Sequence, residues 1–165
     1  MDTLLDNRTG KAIDPKTEFS YYKQGDILNF EFYASDSSLS SYSNKNNDTL
    51  YKGDVVEIFL DIGDDGYYEF EVAPNGATFI AKIINLEPTF IKNNFFESDV
   101  DIIENDYKVK MTIDLAKLKS VKYLKFNAFR IETKGIKQDY ILEAYSPTLS
   151  NTFHVRDKFV EIPLR

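Results

Sequence analysis

The side chains able to do chemistry in this chain are carboxylates and phenols, set at strand-like spacings. Glu57 and Glu69 lie on either side of the acidic, glycine-bearing stretch Gly63-Asp64-Asp65-Gly66, where a hairpin would bring them onto one face. Paired carboxylates are what a glycosidase uses as acid and base. On a sheet they are also ordinary charge partners, with Arg130 available as their compensation. Asp61, Asp64 and Asp65 fall within five residues and offer the hard oxygen ligands that calcium takes. The same residues serve a solvated acidic turn, and their spacing departs from the EF-hand loop. His154 is the single histidine, so a histidine-rich metal centre is excluded and a nucleophilic triad would hang on one imidazole. His154 is expected to be structural, hydrogen-bonded to backbone, and Met111 to belong to the core rather than to a haem. Any calcium is expected to be structural, and no cofactor is required.

The elements that must position these groups announce themselves by alternation. Val56, Ile58, Leu60 and Ile62 alternate with Val55, Glu57, Phe59 and Asp61, the period-two pattern of a strand with one wholly apolar face. Beyond the turn, Tyr68, Phe70 and Val72 alternate with Tyr67, Glu69 and Glu71, and Pro74-Asn75-Gly76 closes the second strand. The two strands give one face to the core and turn carboxylates and rings to the other. Leu28, Phe30, Phe32 and Ala34 form another such face, as do Tyr107, Val109, Met111 and Ile113.

Further strands are expected over residues 19–23, 78–84, 123–132, 140–145 and 159–164, and residues 87–99 read as irregular. Asp114 can cap a single short helical turn. The sum is an all-β domain, an antiparallel β-sandwich of jelly-roll type with about nine or ten strands. Val56, Ile58, Leu60, Phe70, Phe30, Phe32 and Met111 should face its interior. Residues 1–16 are polar and read as an N-terminal arm, and residues 17–165 as one domain. Residues 35–49, rich in Ser, Asn and Asp, read as a long surface loop at the mouth of a site.

Twenty Lys and Arg against 27 Asp and Glu leave a net charge of −7, which disfavours a nucleic-acid partner. No apolar run approaches the ~20 residues of a membrane span, and Met1 to Asp6 lacks the features of a signal peptide. The chain has no cysteine, which removes disulfides and thiolate chemistry. A cytoplasmic protein is expected if the chain is complete, and an extracellular one if it is an excised module of a larger carbohydrate-active protein.

Arg130 shares parity with Leu124, Phe126 and Ala128, so it is either buried against a carboxylate such as Glu57, Asp54 or Glu143, or it opens onto a polar pocket. Tyr51 and Tyr145 each lie where a strand meets a loop, a placement that suits a platform for the C–H face of a sugar.

The motifs LYKGDVVEIFLD, YYEFEVAPNG, FNAFRIE and EAYSPTLSNTFHVRDKF, in that order, resemble family 9 carbohydrate-binding modules over residues 17–165. That resemblance implies a non-catalytic module that clamps a terminal sugar or short oligosaccharide between two aromatic platforms, Tyr51 and Tyr145. It also implies that Asp54 and Glu57 face sugar hydroxyls or a structural calcium, with Arg130 in the third motif. Where family members usually carry Trp at the platforms, this chain carries Tyr. Two other readings stay open: a glycoside-processing enzyme using paired carboxylates, and a sandwich interaction domain without sugar binding.

Overall fold

In the computed structural model, which describes residues 1–36, 38–133 and 140–164, the alternating segments become two antiparallel sheets packed face to face. One sheet holds β1 (Asp2–Thr3), β3 (Thr17–Gln24), β4 (Ile27–Ser35), β10 (Asp106–Asp114) and β9 (Phe96–Ile103), in the order β1-β3-β4-β10-β9. The other runs β2 (Leu5–Asp6), β12 (Tyr140–Ala144), β11 (Leu124–Thr133), β5 (Val55–Asp61), β6 (Tyr67–Val72), β7 (Thr78–Ile84) and β8 (Glu87–Phe90). A last strand, β13 (Val160–Ile162), pairs with the start of β11. Helical structure among the described residues is confined to single 3-10 turns at Leu50–Lys52, Leu115–Lys117 and Arg156–Lys158. The Asp114 side chain caps the second of these by accepting from Ala116 N–H, as its position before the turn leads one to expect.

The interior is the set of apolar faces that alternation marks. Phe30, Phe32 and Met111 from the five-stranded sheet meet Val56, Ile58, Leu60 and Phe70 from the other, each at most 2% exposed. Ring pairs such as Phe30 with Phe126 (5.3 Å) and Phe70 with Phe96 (4.7 Å) fill the space between the sheets.

Three features depart from the sequence reading. Residues 87–99 contain β8 and the first half of β9 rather than a wholly irregular stretch. Both are edge strands, one wholly exposed and the other interrupted by Ser and Asp, so neither carries a clean apolar face. The N-terminal arm adds a two-residue strand to each sheet, with Leu4 fully buried between them and Asn7 hydrogen-bonded to Thr148 in both directions. Finally, the outer face of the eight-stranded sheet is covered. The segment after β12 folds back across it, stacking Phe153 on Phe129 at 4.1 Å and setting Phe159 edge-on to Tyr67 at 5.3 Å. A second apolar cluster results, containing Val55, Phe59, Ala81, Ile83, Ile131 and Leu142. This cover makes a recess of what would otherwise be an open sheet surface.

Candidate functional site

The floor of that recess is carboxylic. Antiparallel pairing of β5 with β6 places Glu57 opposite Glu71 and Phe59 opposite Glu69, so the three Glu residues project from the same outer face. They can bring oxygen atoms within 4.8 Å of one another, and they are 2%, 7% and 2% exposed for Glu57, Glu69 and Glu71. Burial pushes the Glu57 carboxyl well above its ordinary range, and the charge of Glu69 adds to the effect. Burial raises Glu69 to about 7, and a hydrogen bond from Glu71 offsets part of the rise. Glu71 is pushed up to about 11 by burial first and then by the charges of Glu57 and Glu69. The three groups therefore share protons at neutral pH instead of carrying three charges.

Around this floor the chain builds a cleft of about 340 Å³. Phe79 and Ile83 come from β7, Ile131 from β11 and Leu142 from β12, with Leu86 and Pro88 at one side. Residues 151–154 form the opposite wall, and Tyr51 stands at the rim, 48% exposed. The Tyr67 hydroxyl lies 2.6 Å from His154 Nδ1, and the imidazole packs beside Phe59. Burial of one side of the ring lowers the affinity of His154 for its proton. The histidine is thus held by a phenol rather than by the backbone carbonyl that a structural histidine commonly finds.

Tyr51 is positioned by the 3-10 turn at Leu50–Lys52, and that turn is anchored on both sides. Leu50 is buried, and Gly53 passes so close to the backbone of residues 40–42 that a Cβ there would lie 2.5 Å from Tyr42 N. The loop before it, expected at the mouth of a site, is pinned to the start of β7 by Asn46 and Asn47, whose side chains accept from Thr78 and Ile80 N–H.

Of the five residues expected to bind a ligand, Tyr51 and Glu57 reach this cleft. Asp54 is fully buried and works as a clamp: its carboxylate accepts from Ser40 N–H and from both the N–H and the hydroxyl of Thr133. Arg130 points between the sheets, where it donates to Asp36 at 2.8 Å, Glu143 at 3.4 Å and Thr17 at 3.0 Å. Of the two expectations for it, buried pairing is the one realised. It does not compensate Glu57, because the two side chains leave opposite faces of the sheet: Glu57 stands opposite Phe129, one residue out of phase with Arg130. Tyr145 likewise follows the inner face, stacking on Phe126 at 5.5 Å and packing beside Phe19 and Tyr21. It is absent from the walls of the cleft that Tyr51 borders, so the two rings do not face each other across this cleft.

The hairpin aspartates are drawn apart by cations. Asp61 receives two hydrogen bonds from Arg156 (2.6 and 2.9 Å), while Asp64 and Asp65 both meet Lys82 at 2.7 Å. Among the described residues, the group with metal-ligand spacing is Glu57, Glu69 and Glu71. Glu71 could have been added to Glu57 and Glu69 by carrying the alternation through the hairpin. Phe79, Phe153 and the 151–154 wall could not, since nothing local says that the C-terminal segment returns over β5 and β6.

No protein-family model matches the sequence, and no curated protein matches it. Solved structures do resemble it. A candidate carbohydrate-binding protein from Bacteroides uniformis superposes with a TM-score of 0.77 at 18% identity, over 94% of this chain and 82% of that one. A family 9 carbohydrate-binding module from Caldicellulosiruptor kristjanssonii in complex with glucose gives 0.68 at 18% identity, over 96% and 81%. A family 9 module from the same organism in complex with cellotriose gives 0.62 at 16% identity, over 87% and 71%. At these identities the likeness is one of architecture: this chain folds as a β-sandwich similar to the family 9 carbohydrate-binding modules.

Proposed function

We propose that this protein is a non-catalytic carbohydrate-binding module that holds a terminal sugar or short oligosaccharide in the cleft over Glu57, Glu69 and Glu71. The observation that carries the reading is the make-up of the cleft: a recess of about 340 Å³ with Tyr51 at the rim, Phe79 in the wall and hydrogen-bonding carboxyls on the floor. Such a recess lies at the small end of the volumes of small-ligand pockets. Rings accept the apolar face of a sugar, and carboxyl oxygens accept its hydroxyls. The fold supports the same reading, since similar sandwiches include modules complexed with glucose and with cellotriose.

The arrangement argues against glycoside hydrolysis. Acid and base must flank the scissile bond. Glu57, Glu69 and Glu71 instead form one cluster, with oxygens within 4.8 Å of one another, and no other carboxylate lines the cleft among the described residues to stand across a sugar from them. Titration calorimetry against a panel of mono- and oligosaccharides tests the proposal. Saturable binding without turnover of chromogenic glycosides is expected, and Tyr51→Ala should weaken it by about 1–3 kcal/mol at unchanged melting temperature. Turnover that vanishes in Glu57→Gln would make the protein an enzyme, and flat titrations across the panel would leave an interaction domain.

A further inference from the structure

Elsewhere in this protein, buried carboxylates are answered by donors. Asp61 has Arg156, Asp36 and Glu143 have Arg130, and Asp54 has the N–H groups of Ser40 and Thr133. The floor of the cleft departs from this pattern. No Lys or Arg lines it among the described residues, and His154 is engaged by Tyr67. Glu71 Oε2 is buried there without a hydrogen-bond partner; Glu143 Oε2, away from the cleft, also lacks one, but the Arg130 cation lies beside that carboxylate, and no Lys or Arg lines the cleft around Glu71 among the described residues. An acceptor in that position is costly unless something arrives to fill it.

We propose that the cleft takes an amino sugar, its primary ammonium seated among Glu57, Glu69 and Glu71 and its ring against Tyr51 and Phe79. The inference rests on the carbohydrate reading above and adds the charge of the ligand. An ammonium offers three N–H donors, one for each carboxyl, and every resulting hydrogen bond is charge-assisted. A neutral sugar brings no charge, so the three carboxyls would have to stay largely protonated beneath it.

A bare divalent cation fits less well. Calcium takes six to eight oxygens, whereas beyond the carboxyls the walls are mostly aromatic and aliphatic, with Asn151 and Thr152 as the neutral polar lining. An ammonium carried on a sugar uses both parts of the cleft, the acidic floor and the apolar walls.

The test is titration calorimetry of the whole chain with glucosamine, N-acetylglucosamine, glucose and, separately, calcium chloride. Glucosamine should bind at least about tenfold more tightly than either neutral sugar, and Glu71→Gln and Glu57→Gln should each bring the ratio of glucosamine to glucose affinity down to about one, whatever they do to the affinity for glucose itself. Melting curves of both variants establish that they are folded, and the comparison of ligands on the unaltered protein does not depend on them. Equal affinity for glucosamine and glucose would overturn the ammonium site and leave the carbohydrate reading standing. Binding of none of the sugars would overturn both. Calcium binding that Glu71→Gln removes, with no preference for the amine, would assign the carboxyls to a metal and refute the proposal.

Discussion

Replacing Glu71 by Gln should stabilise the ligand-free protein at neutral pH and do little in acid. In the folded chain its carboxyl is pushed up to about 11 from an ordinary 4.5, by burial and then by the charges of Glu57 and Glu69. The folded state therefore keeps this proton at neutral pH, while the unfolded state has released it. Stability from this group is fully present below the unfolded value of 4.5 and is lost as the pH rises toward the folded value. Neutral pH lies about 2.5 pH units above the unfolded value, and at ~1.36 kcal/mol for each unit the proton uptake costs about 3 kcal/mol.

Gln has nearly the same shape and needs no proton. Its amide can donate to the neighbouring carboxyls, which then ionise more readily, and part of the gain is spent on burying the amide. A net stabilisation of about 1–3 kcal/mol remains. Urea denaturation of both proteins near pH 5 and near pH 8 measures it, with the slopes compared to confirm that the same surface is exposed. The midpoint difference should be small at the lower pH and clear at the higher one. A variant less stable than the parent by the same margin at both would refute the reasoning, because it would mean that the carboxyl contributes through a fixed native contact and not through its proton.

Arg130→Met should destabilise the fold by about 3–5 kcal/mol, since it leaves Asp36 and Glu143 buried without their shared cation; chemical denaturation reads this directly. Tyr145→Ala should cost about 2 kcal/mol of stability by removing a ring packed on Phe126 and Phe19, and should leave sugar affinity unchanged in calorimetry. A selective loss of binding at Tyr145 would return it to the ligand site.

Alternation in four segments was enough to specify an all-β sandwich and seven of its interior residues, because a strand with one apolar face has few ways to hide it. The same rule fails for the parts that make the site. Glu57, Glu69 and Glu71 look like solvent-facing residues in the strand pattern, and Phe59 and Val55 look like scattered exceptions among them. They become buried because residues 151–159 return from far along the chain to cover them. Phase sets Arg130 with Leu124, Phe126 and Ala128, as its burial against Asp36 and Glu143 bears out, whereas the expectation that Tyr145 meets the ligand rests on its place at a strand end, without regard to phase. Arg130 and Tyr145 sit in motifs next to residues of the outer face, yet each is one position out of step, and one position in a strand is the whole thickness of the sheet. By itself, then, the sequence determined the architecture, the interior and the common face of the three carboxyls, all consequences of a period of two. Only the tertiary structure decided that this face is roofed, that its carboxyls lack a cation among the described residues and that Tyr51, without Tyr145, stands beside them, because burial depends on which distant segment crosses the sheet.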